Sequence, residues 1–204
     1  SYTDKNILED INLDIYQGDF LLITGPNGGG KTSLLRTILR WQSPTKGRIS
    51  FFRQGEPVSS LDMGYLPQKN SIDSRFPITV EEVVASGLMG NTQKGNTKFD
   101  SKKEIDEMLD LMGITALRNK PIGVLSGGQL QRSLFGRALI SKPEMLILDE
   151  PASYIDRQFG NRMFEILRDL SSNGTTIMMV SHEIEPFITL SNRNLYINHI
   201  LGDR

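Results

Sequence analysis

The sequence predicts an α/β fold in which helices cover both faces of a mostly parallel sheet and an all-helical segment is inserted between two halves. Near both ends of the chain, short apolar runs typical of buried strands alternate with segments of helical period. Residues 79–140, between these halves, show helical period alone. A chain of 204 residues is long enough for one domain with such an inserted lobe.

The first half begins with two predicted strands. "INLDI" at 11–15 alternates like a half-buried strand, and "DFLLIT" at 19–24 is an apolar run ending before glycine, as in a buried strand. "TSLLRTILR" at 32–40 has helical spacing of its leucines and isoleucine. "SPTKG" at 43–47 then supplies a turn before a strand in "RISFF" at 48–52. This half therefore contains a strand, glycine loop, helix and strand in succession.

The middle of the chain predicts three helices. They are "TVEEVVASGLM" at 79–89, "SKKEIDEMLDLMG" at 101–113 and "SGGQLQRSLFGRALI" at 126–140. Ser101 is the expected N-cap of the second helix, and Glu104 would complete a capping box. The glycine-containing stretch "GNTQKGNTKFD" at 90–100 predicts a surface loop within this helical insertion.

The last part returns to the strand–helix alternation. "MLILDE" at 145–150 and "TTIMMVSH" at 175–182 are two buried-strand candidates, separated by a helix over about 156–171. Connections of this kind place the strands parallel in one sheet.

The composition limits which kinds of partner and which cellular compartment are expected for this protein. With 23 Lys and Arg against 24 Asp and Glu the net charge is −1, so nucleic acid is not an expected partner. Zero cysteines exclude disulfides and thiolate metal sites, and two histidines leave little for a zinc centre. No apolar run approaches the roughly 18–20 residues that cross a bilayer, and the N-terminus "SYTDKNILED" is polar where a signal peptide is apolar. We therefore expect a cytoplasmic protein.

"GPNGGGKT" at 25–32 has the spacing of a phosphate-binding loop, G-x-x-x-x-G-K-[ST]. Its glycines at 28, 29 and 30 allow positive φ, so that successive N–H groups can surround phosphate oxygens at a helix start. Lys31 would reach the β- and γ-phosphates, and the Thr32 hydroxyl would ligate Mg²⁺. A plain glycine-rich turn is the alternative, but the predicted strand before it and helix after it favour nucleotide binding.

"LILDEP" at 146–151 supplies the acids that hydrolysis requires. Asp149 ends a predicted strand, which would deliver its carboxylate rigidly to Mg²⁺ beside the glycine loop. Glu150 would accept a hydrogen bond from the attacking water. For an isolated Asp-Glu pair a solvated loop start is the favoured explanation, but the pair together with the glycine loop favours the catalytic one.

The motifs "GPNGGGKT", "LSGGQLQR", "LILDEP" and "VSH", in that order, resemble the ATP-binding subunit of an ABC transporter over essentially the whole chain. The resemblance implies a single domain over 1–204: a P-loop NTPase core (1–68 and 142–204) with a small antiparallel β lobe at the N-terminus, and an inserted all-helical subdomain (about 76–141). It also implies a head-to-tail dimer with a second copy. Each ATP would lie between "GPNGGGKT" of one chain and "LSGGQ" of the other. Taken by itself, "LSGGQ" is also explained as an ordinary helix start with Ser126 as its cap.

The resemblance assigns roles residue by residue. Catalysis would involve Glu150, His182, Gln68 and Lys31. ATP would contact Tyr2, Asn27, Gly28, Gly29, Gly30, Lys31, Thr32 and Ser33 of its own chain, and Ser126, Gly127, Gly128, Gln129 and Asp156 of the partner subunit. Mg²⁺ would be held by Thr32, Gln68 and Asp149. Two departures stand out: "ASYID" replaces the more usual "SALD" before Asp156, and the family has a further strand ahead of the tyrosine that matches Tyr2.

The stretch "GYLPQKNSIDSRFPITVEEVV" at 64–84 resembles importers of transition-metal ions such as zinc or manganese. Iron-chelate or haem import is the nearest competitor. Such a subunit would attach to polytopic membrane permease subunits at the inner face of the cell membrane, and indirectly serve a substrate-binding protein.

Other classes of ABC ATPase stay open. A soluble ABC ATPase for assembly or genome maintenance is one, although no sustained heptads lie between Lys31 and Ser126 and the chain carries one cassette. An iron–sulfur assembly ATPase fits the length. A nucleotide-binding regulator without turnover is disfavoured by the presence of Glu150.

Overall fold

The computed structural model describes residues 7–68, 76–89, 98–153, 155–182, 185 and 187–203. The strands are β1 (Phe20–Thr24), β2 (Phe51–Arg53), β3 (Glu56–Val58), β4 (Met63–Leu66), β5 (Met145–Asp149), β6 (Thr176–Val180), β7 (Arg193–Asn198) and β8 (Ile200–Asp203). The helices are α1 (Lys31–Ile38), α2 (Val80–Ser86), α3 (Lys98–Leu111), α4 (Gly127–Leu139) and α5 (Arg157–Ser172).

The main sheet has six strands in the order β4-β5-β6-β1-β7-β8. The first five are mutually parallel, and β8 pairs antiparallel with β7. In the register, Phe20 of β1 lies opposite Ile177 of β6, and Leu148 of β5 lies opposite Met179. Because parallel strands point the same way, the carboxyl ends of β1, β4, β5 and β6 meet at one edge, which is where such sheets bind ligands.

Both faces of this sheet are buried. Alternate residues of the central strands enter two separate apolar clusters, as the period of two requires. One cluster joins the sheet to α5 and to the helical insertion, with Leu146, Leu148 and Phe135 fully covered. The other lies between the opposite face and α1, with Leu35 and Ile147 at its centre. The helical insertion is therefore packed continuously on the sheet.

The helices α2, α3 and α4 form the insertion between β4 and β5. Thr79 caps α2 through a capping box with Glu82. Gly87 lets α2 approach α4 closely, since a Cβ there would stand 2.1 Å from the Arg137 carbonyl oxygen. The mostly parallel sheet, the small antiparallel β2–β3 hairpin and the inserted helices confirm the predicted fold class.

The structure corrects several predicted details. Residues 11–15 form no strand; the apolar side chains of Ile11, Leu13 and Ile15 pack on the core, so the alternation reflects burial. Ser101 is not an N-cap, because α3 begins at Lys98, and Glu104 instead lies 3.8 Å from Lys142 Nζ. The predicted surface loop at 90–100 is helical over its last three residues, and 90–97 lie outside the described residues.

The predicted strand in "RISFF" is shorter than expected and begins at Phe51. Within the described ranges, none of the helices combines the length and apolar character that a membrane span requires.

Candidate active site

The glycine loop, residues 25–30, joins β1 to α1 at the carboxyl edge of the sheet. Gly25, Gly28 and Gly30 have φ of 145°, 78° and 99°, which side chains rarely adopt. A Cβ on Gly25 would stand 1.9 Å from the Ile197 carbonyl oxygen at the end of β7. The His199 N–H donates to the Gly29 carbonyl at 3.0 Å. The loop therefore packs directly against the end of β7, and at position 25 only glycine leaves enough space.

Lys31 is 7% exposed and lies inside this loop. Its Nζ donates to the Gly25 and Pro26 carbonyl oxygens at 2.8 and 2.9 Å. The next residues open α1, whose N-cap Gly30 provides no side-chain hydrogen bond. The first-turn N–H groups of a helix have no acceptor within it. The predicted phosphate-binding residues 28–33 are therefore brought together at a helix start beside a buried ammonium.

Asp149 ends β5 beside the start of α1. The Thr32 hydroxyl donates to Asp149 Oδ2 at 3.3 Å, and Asp149 is 2% exposed. Burial is the main reason that the pKa of Asp149 is raised; Glu150 raises it further, whereas Thr32, Lys31 and Arg36 oppose the shift. A buried carboxylate beside a hydroxyl is a hard oxygen donor set, which fits Mg²⁺ shared with phosphate oxygens.

Glu150, His182 and Asn27 converge from three different loops. His182 Nε2 lies 3.2 Å from Glu150 Oε1 and 3.1 Å from Asn27 Oδ1. The His182 N–H also lies 3.4 Å from Glu150 Oε2. Glu150 is held by its own N–H, which donates to the Val180 carbonyl at 2.9 Å, and it adopts a left-handed φ of 55°. Adjacent β5 and β6 therefore place an acid and a histidine next to the glycine loop.

Gln68 lies two residues beyond β4, at the same edge of the sheet, and is exposed. Leu66 pairs with Leu148, so the register sets Gln68 beside the segment that follows Asp149. The preceding strand is fixed by Arg137 of α4, whose Nη2 donates to the Tyr65 carbonyl at 3.1 Å. Burial lowers the pKa of Arg137, the expected direction for a cation taken from water.

The residues of "LSGGQ" form the start of α4. Ser126 Oγ accepts from the Gln129 N–H at 3.2 Å, and Gln129 Oε1 accepts from the Ser126 N–H at 3.0 Å. This reciprocal capping box shows that Ser126 is a helix cap. Gly127 and Gly128 lie in the first turn, where backbone N–H groups point out of the helix toward any anion.

Asp156 is the N-cap of α5 and uses both carboxylate oxygens within its own chain. Oδ1 accepts from the Phe159 N–H at 3.0 Å, and Oδ2 forms an ion pair with Arg132 of α4. The Phe159 N–H, followed by Arg132, lowers the pKa of Asp156. Tyr2 and Tyr154 lie outside the described residues, so their predicted placement stays a prediction.

Three contacting residues were given no role by the sequence. Gln131 and Arg132 belong to "LSGGQLQR", but nothing in the sequence indicates that they contact residues 151 and 156, which lie about twenty positions further along the chain. His199 Nδ1 donates to the Ile7 carbonyl at 3.0 Å, which ties the N-terminal segment to the back of the glycine loop. A histidine near the chain end gives no sequence signal for such a contact.

Comparison with known proteins agrees with this geometry. The chain is 40% identical over 200 residues to a "Probable metal transport system ATP-binding protein" of Chlamydia pneumoniae, covering 96% of this chain and 81% of the relative. It is 37% identical to the zinc uptake system ATP-binding protein ZurA of Listeria monocytogenes, covering 98% of this chain and 78% of that protein.

Among solved structures, the ATP-binding cassette MJ0796, a dimer in a post-hydrolysis state bound to ADP and Pi, superposes with a TM-score of 0.82. Its identity is 25%, and the match covers 97% of this chain and 90% of that one. The family model described as ABC transporter matches residues 8–153, more than half of the chain. The chain therefore belongs to the ABC transporter family, as an ATP-binding cassette.

Proposed function

We propose that this chain is the ATP-hydrolysing subunit of an ABC importer for transition-metal ions, zinc or manganese. The observation that carries the ATPase activity is the adjacency of Asp149, Glu150 and His182 to the glycine loop at one edge of the sheet. Import of metal ions is supported by the relatives, which are named as metal-transport and zinc-uptake subunits. They do not favour the alternative of a soluble assembly or genome-maintenance ATPase.

Nucleotide binding rests on the glycine loop and the first turn of α1. Backbone N–H groups of residues 28–33 donate to the phosphates, and the α1 dipole favours their negative charge. Lys31 exchanges its present carbonyl acceptors for the β- and γ-phosphate oxygens. Asn27 adds a polar contact at the exposed rim of the loop, and Tyr2 stacks on adenine.

Thr32, Asp149 and Gln68 would hold Mg²⁺. The ion supplies charge neutralisation for the phosphates when it is bound. Asp149 gains a cation that offsets the burial of its carboxylate, and Thr32 keeps that carboxylate directed toward the glycine loop at 3.3 Å. Gln68, exposed at the end of β4, links this site to the helical insertion.

Glu150 accepts a hydrogen bond from the attacking water and orients it toward the γ-phosphate. His182, whose Nε2 lies 3.2 Å from Glu150 Oε1, holds that carboxylate in place and also contacts the γ-phosphate. Its contact with Asn27 at 3.1 Å keeps the imidazole over the loop. In this proposal Glu150 orients the water for attack in line with the leaving oxygen of ADP, and the Lys31 ammonium stabilises the negative charge on the β- and γ-phosphate oxygens.

A second copy of the chain completes each site. The exposed start of α4 offers first-turn N–H groups and the Ser126 hydroxyl to an anion that its own glycine loop does not hold. In a head-to-tail dimer, Ser126, Gly127, Gly128, Gln129 and Asp156 of the partner subunit close over the ATP. ATP binding closes the dimer and hydrolysis reopens it, as in an isologous assembly with ligand at the interface. The dimeric form of the related cassette MJ0796 supports this.

The membrane partner docks on the surface between Gln68 and about Val84. Phe76 is 62% exposed there, and residues 69–75 lie outside the described residues. A permease bound at this surface holds the subunit at the inner face of the membrane and converts closure into a change of access. A substrate-binding protein delivers the ion to that permease, so the cargo is selected elsewhere.

The test uses the tagged Glu150→Gln chain, held with Mg-ATP, on detergent-solubilised membranes of its source. Co-purification of a polytopic permease, together with loss of radiolabelled zinc or manganese uptake when Glu150→Gln replaces the native chain in cells, is the expected result. Retention of soluble proteins alone, with unchanged uptake of both ions, would overturn the importer proposal.

A further inference from the structure

The turn between β7 and β8 meets the N-terminal segment and the glycine loop at one residue, His199. Asn198 and Ile200 pair across this turn, and His199 between them has a left-handed φ of 65°. Glycine adopts this conformation without strain, whereas a side chain at this φ costs free energy. A histidine here is therefore less favourable for the backbone than glycine, unless its side chain makes a stabilising contact.

The hydrogen bonds of His199 reach two neighbouring parts of the chain. Its backbone N–H donates to the Gly29 carbonyl of the glycine loop at 3.0 Å. Its carbonyl accepts from the Glu9 N–H at 2.9 Å, and its Nδ1 donates to the Ile7 carbonyl at 3.0 Å. The bond to the glycine loop is thus made by the backbone, whereas the bond to Ile7 depends on the imidazole.

The N-terminal segment 7–9 lies directly against the glycine loop. A Cβ on Gly30 would stand 2.4 Å from Leu8 Cδ2 and 3.3 Å from the Ile7 carbonyl oxygen. Leu8 packs on the apolar cluster that contains Leu35, whereas the Ile7 side chain is 49% exposed. Burial of that side chain therefore contributes little to holding residue 7 in place, and the imidazole supplies a restraint on its backbone.

Tyr2, the residue proposed to stack on adenine, precedes Ile7 by five positions and lies outside the described residues. Five residues of chain span at most about 17 Å, so fixing residue 7 limits the volume within which the tyrosine can meet a base. We propose that His199 is a positioning residue for the adenine base, because its imidazole holds segment 7–9, and with it the preceding chain, against the loop that binds the phosphates. This inference rests on the proposed contact between Tyr2 and adenine.

The proposal separates binding of the base from binding of the phosphates. Ordering a free segment costs free energy when a ligand binds, so an anchored segment raises the affinity for a ligand that contacts it. Loss of the imidazole should therefore weaken ligands that carry adenine and spare ligands that consist of phosphates alone. A residue that only supported the glycine loop would affect both kinds of ligand equally.

The experiment titrates the intact chain with Mg-ADP, which carries the base, and with Mg-pyrophosphate, which does not. His199→Gly removes the imidazole without strain at a φ of 65° and keeps the backbone hydrogen bonds. His199→Asn tolerates the same φ and places an amide N–H near the position of Nδ1, so it should restore the contact. His199→Asp has the shape of asparagine but lacks the donor at neutral pH. Gln54→Gly, at a φ of 54° in the β2–β3 turn, is the matched control.

Calorimetry should show the Kd for Mg-ADP raised about fivefold in His199→Gly, the effect of one lost anchoring hydrogen bond. In His199→Asp, the affinity for Mg-ADP should fall about fivefold more than the affinity for Mg-pyrophosphate does. His199→Gly with Mg-pyrophosphate, and His199→Asn and Gln54→Gly with either ligand, should stay within about twofold of the native chain. Hydrogen exchange at the Glu9 amide should quicken about threefold or more in His199→Gly, since the segment is released.

Tyr2→Ala distinguishes failure of this inference from failure of the proposed adenine contact. Alone it should weaken Mg-ADP about fivefold or more and leave Mg-pyrophosphate unchanged, since one stack of a base on an aromatic ring is lost. Adding His199→Gly to Tyr2→Ala should then have no further effect on Mg-ADP, because the two residues act through the same contact.

Native affinity for Mg-ADP in His199→Gly, with Tyr2→Ala impaired, would overturn the role of His199 and leave the adenine contact standing. Equal losses for Mg-ADP and Mg-pyrophosphate, unchanged exchange at Glu9, or additive losses in the double variant would also overturn it. If His199→Gly does not fold, His199→Asn and His199→Asp decide by the same criterion. Unchanged Mg-ADP binding in Tyr2→Ala, read with His199 intact, would overturn the adenine contact itself and the inference with it.

Discussion

At the residue scale, Glu150 combines an unusual backbone conformation with a close contact to a histidine. Its φ of 55° is left-handed, a region that costs non-glycine residues free energy and often marks functional positions. Its Oε1 lies 3.2 Å from His182 Nε2. The backbone turn directs this side chain from the end of β5 toward the glycine loop.

Glu150→Gln keeps the size and much of the hydrogen bonding but removes the negative charge that polarises water. We expect kcat for ATP hydrolysis to fall by roughly 10²-fold or more, with Mg-ATP binding nearly unchanged. A phosphate-release assay and an equilibrium binding titration measure the two quantities. The exposed Glu165→Gln on α5 is the control. Turnover close to that of the native chain would remove Glu150 from its proposed role.

Asp149 should make stability depend on pH in a defined direction. Burial raises its pKa in the folded state, so the fold binds that proton more tightly than the unfolded chain does. Its contribution to stability is therefore full below the ordinary carboxyl pKa of about 3.9 and is lost as pH rises through the raised value. Without Mg²⁺, Asp149→Asn should raise the melting temperature at pH 7 by about 2–4 °C.

That gain should shrink as the pH falls toward the ordinary carboxyl range, where native Asp149 is already protonated. Thermal melts of the nucleotide-free chain at several pH values measure it, with the exposed Asp14→Asn as the matched control. A lower melting temperature for Asp149→Asn at neutral pH would show that the contacts with Thr32 and Lys31 outweigh the burial of the charge.

At the element scale, the glycine loop and β7 fit together without space for a side chain. Gly25→Ala would bring a Cβ to 1.9 Å from the Ile197 carbonyl oxygen at a φ of 145°, so the loop must shift. We expect the free energy of unfolding to fall on the order of 1–3 kcal/mol and Mg-ATP affinity to fall with it. Denaturant unfolding and binding titration measure these changes.

Gly160→Ala is the matched glycine substitution, near the start of α5. A Cβ there has nothing within 4 Å, and the residue has ordinary helical geometry. Alanine should therefore raise the free energy of unfolding by about 0.5–1 kcal/mol and leave Mg-ATP binding unchanged. If Gly25→Ala behaved like Gly160→Ala, the close packing of the glycine loop on β7 would be wrong.

Elements with a strong apolar period were predictable, and elements defined by contacts were not. The runs that form β1, β5 and β6, and the spacing that forms α1, α4 and α5, carry the signal in their own residues. β4 was not predictable because it has only four residues and contains Gly64. The structure requires glycine there, since a Cβ on Gly64 would lie 2.0 Å from the Ala138 carbonyl oxygen. The alternation at 11–15 predicted a strand, but it arises only because every second side chain packs on the core.

The residues of the candidate site also fall into those that the sequence indicated and those that only the structure shows. The positions of Lys31, Thr32, Asp149 and Glu150 at a helix start and a strand end were predictable, because the roles proposed for them depend on spacing along the chain. Gln131, Arg132 and His199 were not, since each acts on a residue distant in sequence. Asp156 was predicted for the partner's ATP, and the structure adds an ion pair and a helix cap within its own chain.

At the scale of the whole molecule, one chain contains two helix starts that we propose to bind phosphate, those of α1 and α4. The first lies beside the residues proposed for hydrolysis, whereas Ser126 and Gln129 at the second cap their own helix. A dimer in which each α4 start faces the glycine loop of the other chain uses both. Ser126→Arg places a bulky cation in that interface, so we expect it to prevent dimer closure while single-subunit ATP binding persists.

The most direct measurement is sedimentation velocity of Glu150→Gln with and without saturating Mg-ATP, with Glu150→Gln/Ser126→Arg run beside it. The first variant should shift from the 22.9 kDa monomer to twice that mass when Mg-ATP is added, and the second should remain monomeric. A Glu150→Gln chain that binds Mg-ATP yet stays monomeric, or a Ser126→Arg variant that still dimerises with ATP, would contradict a nucleotide shared between two copies.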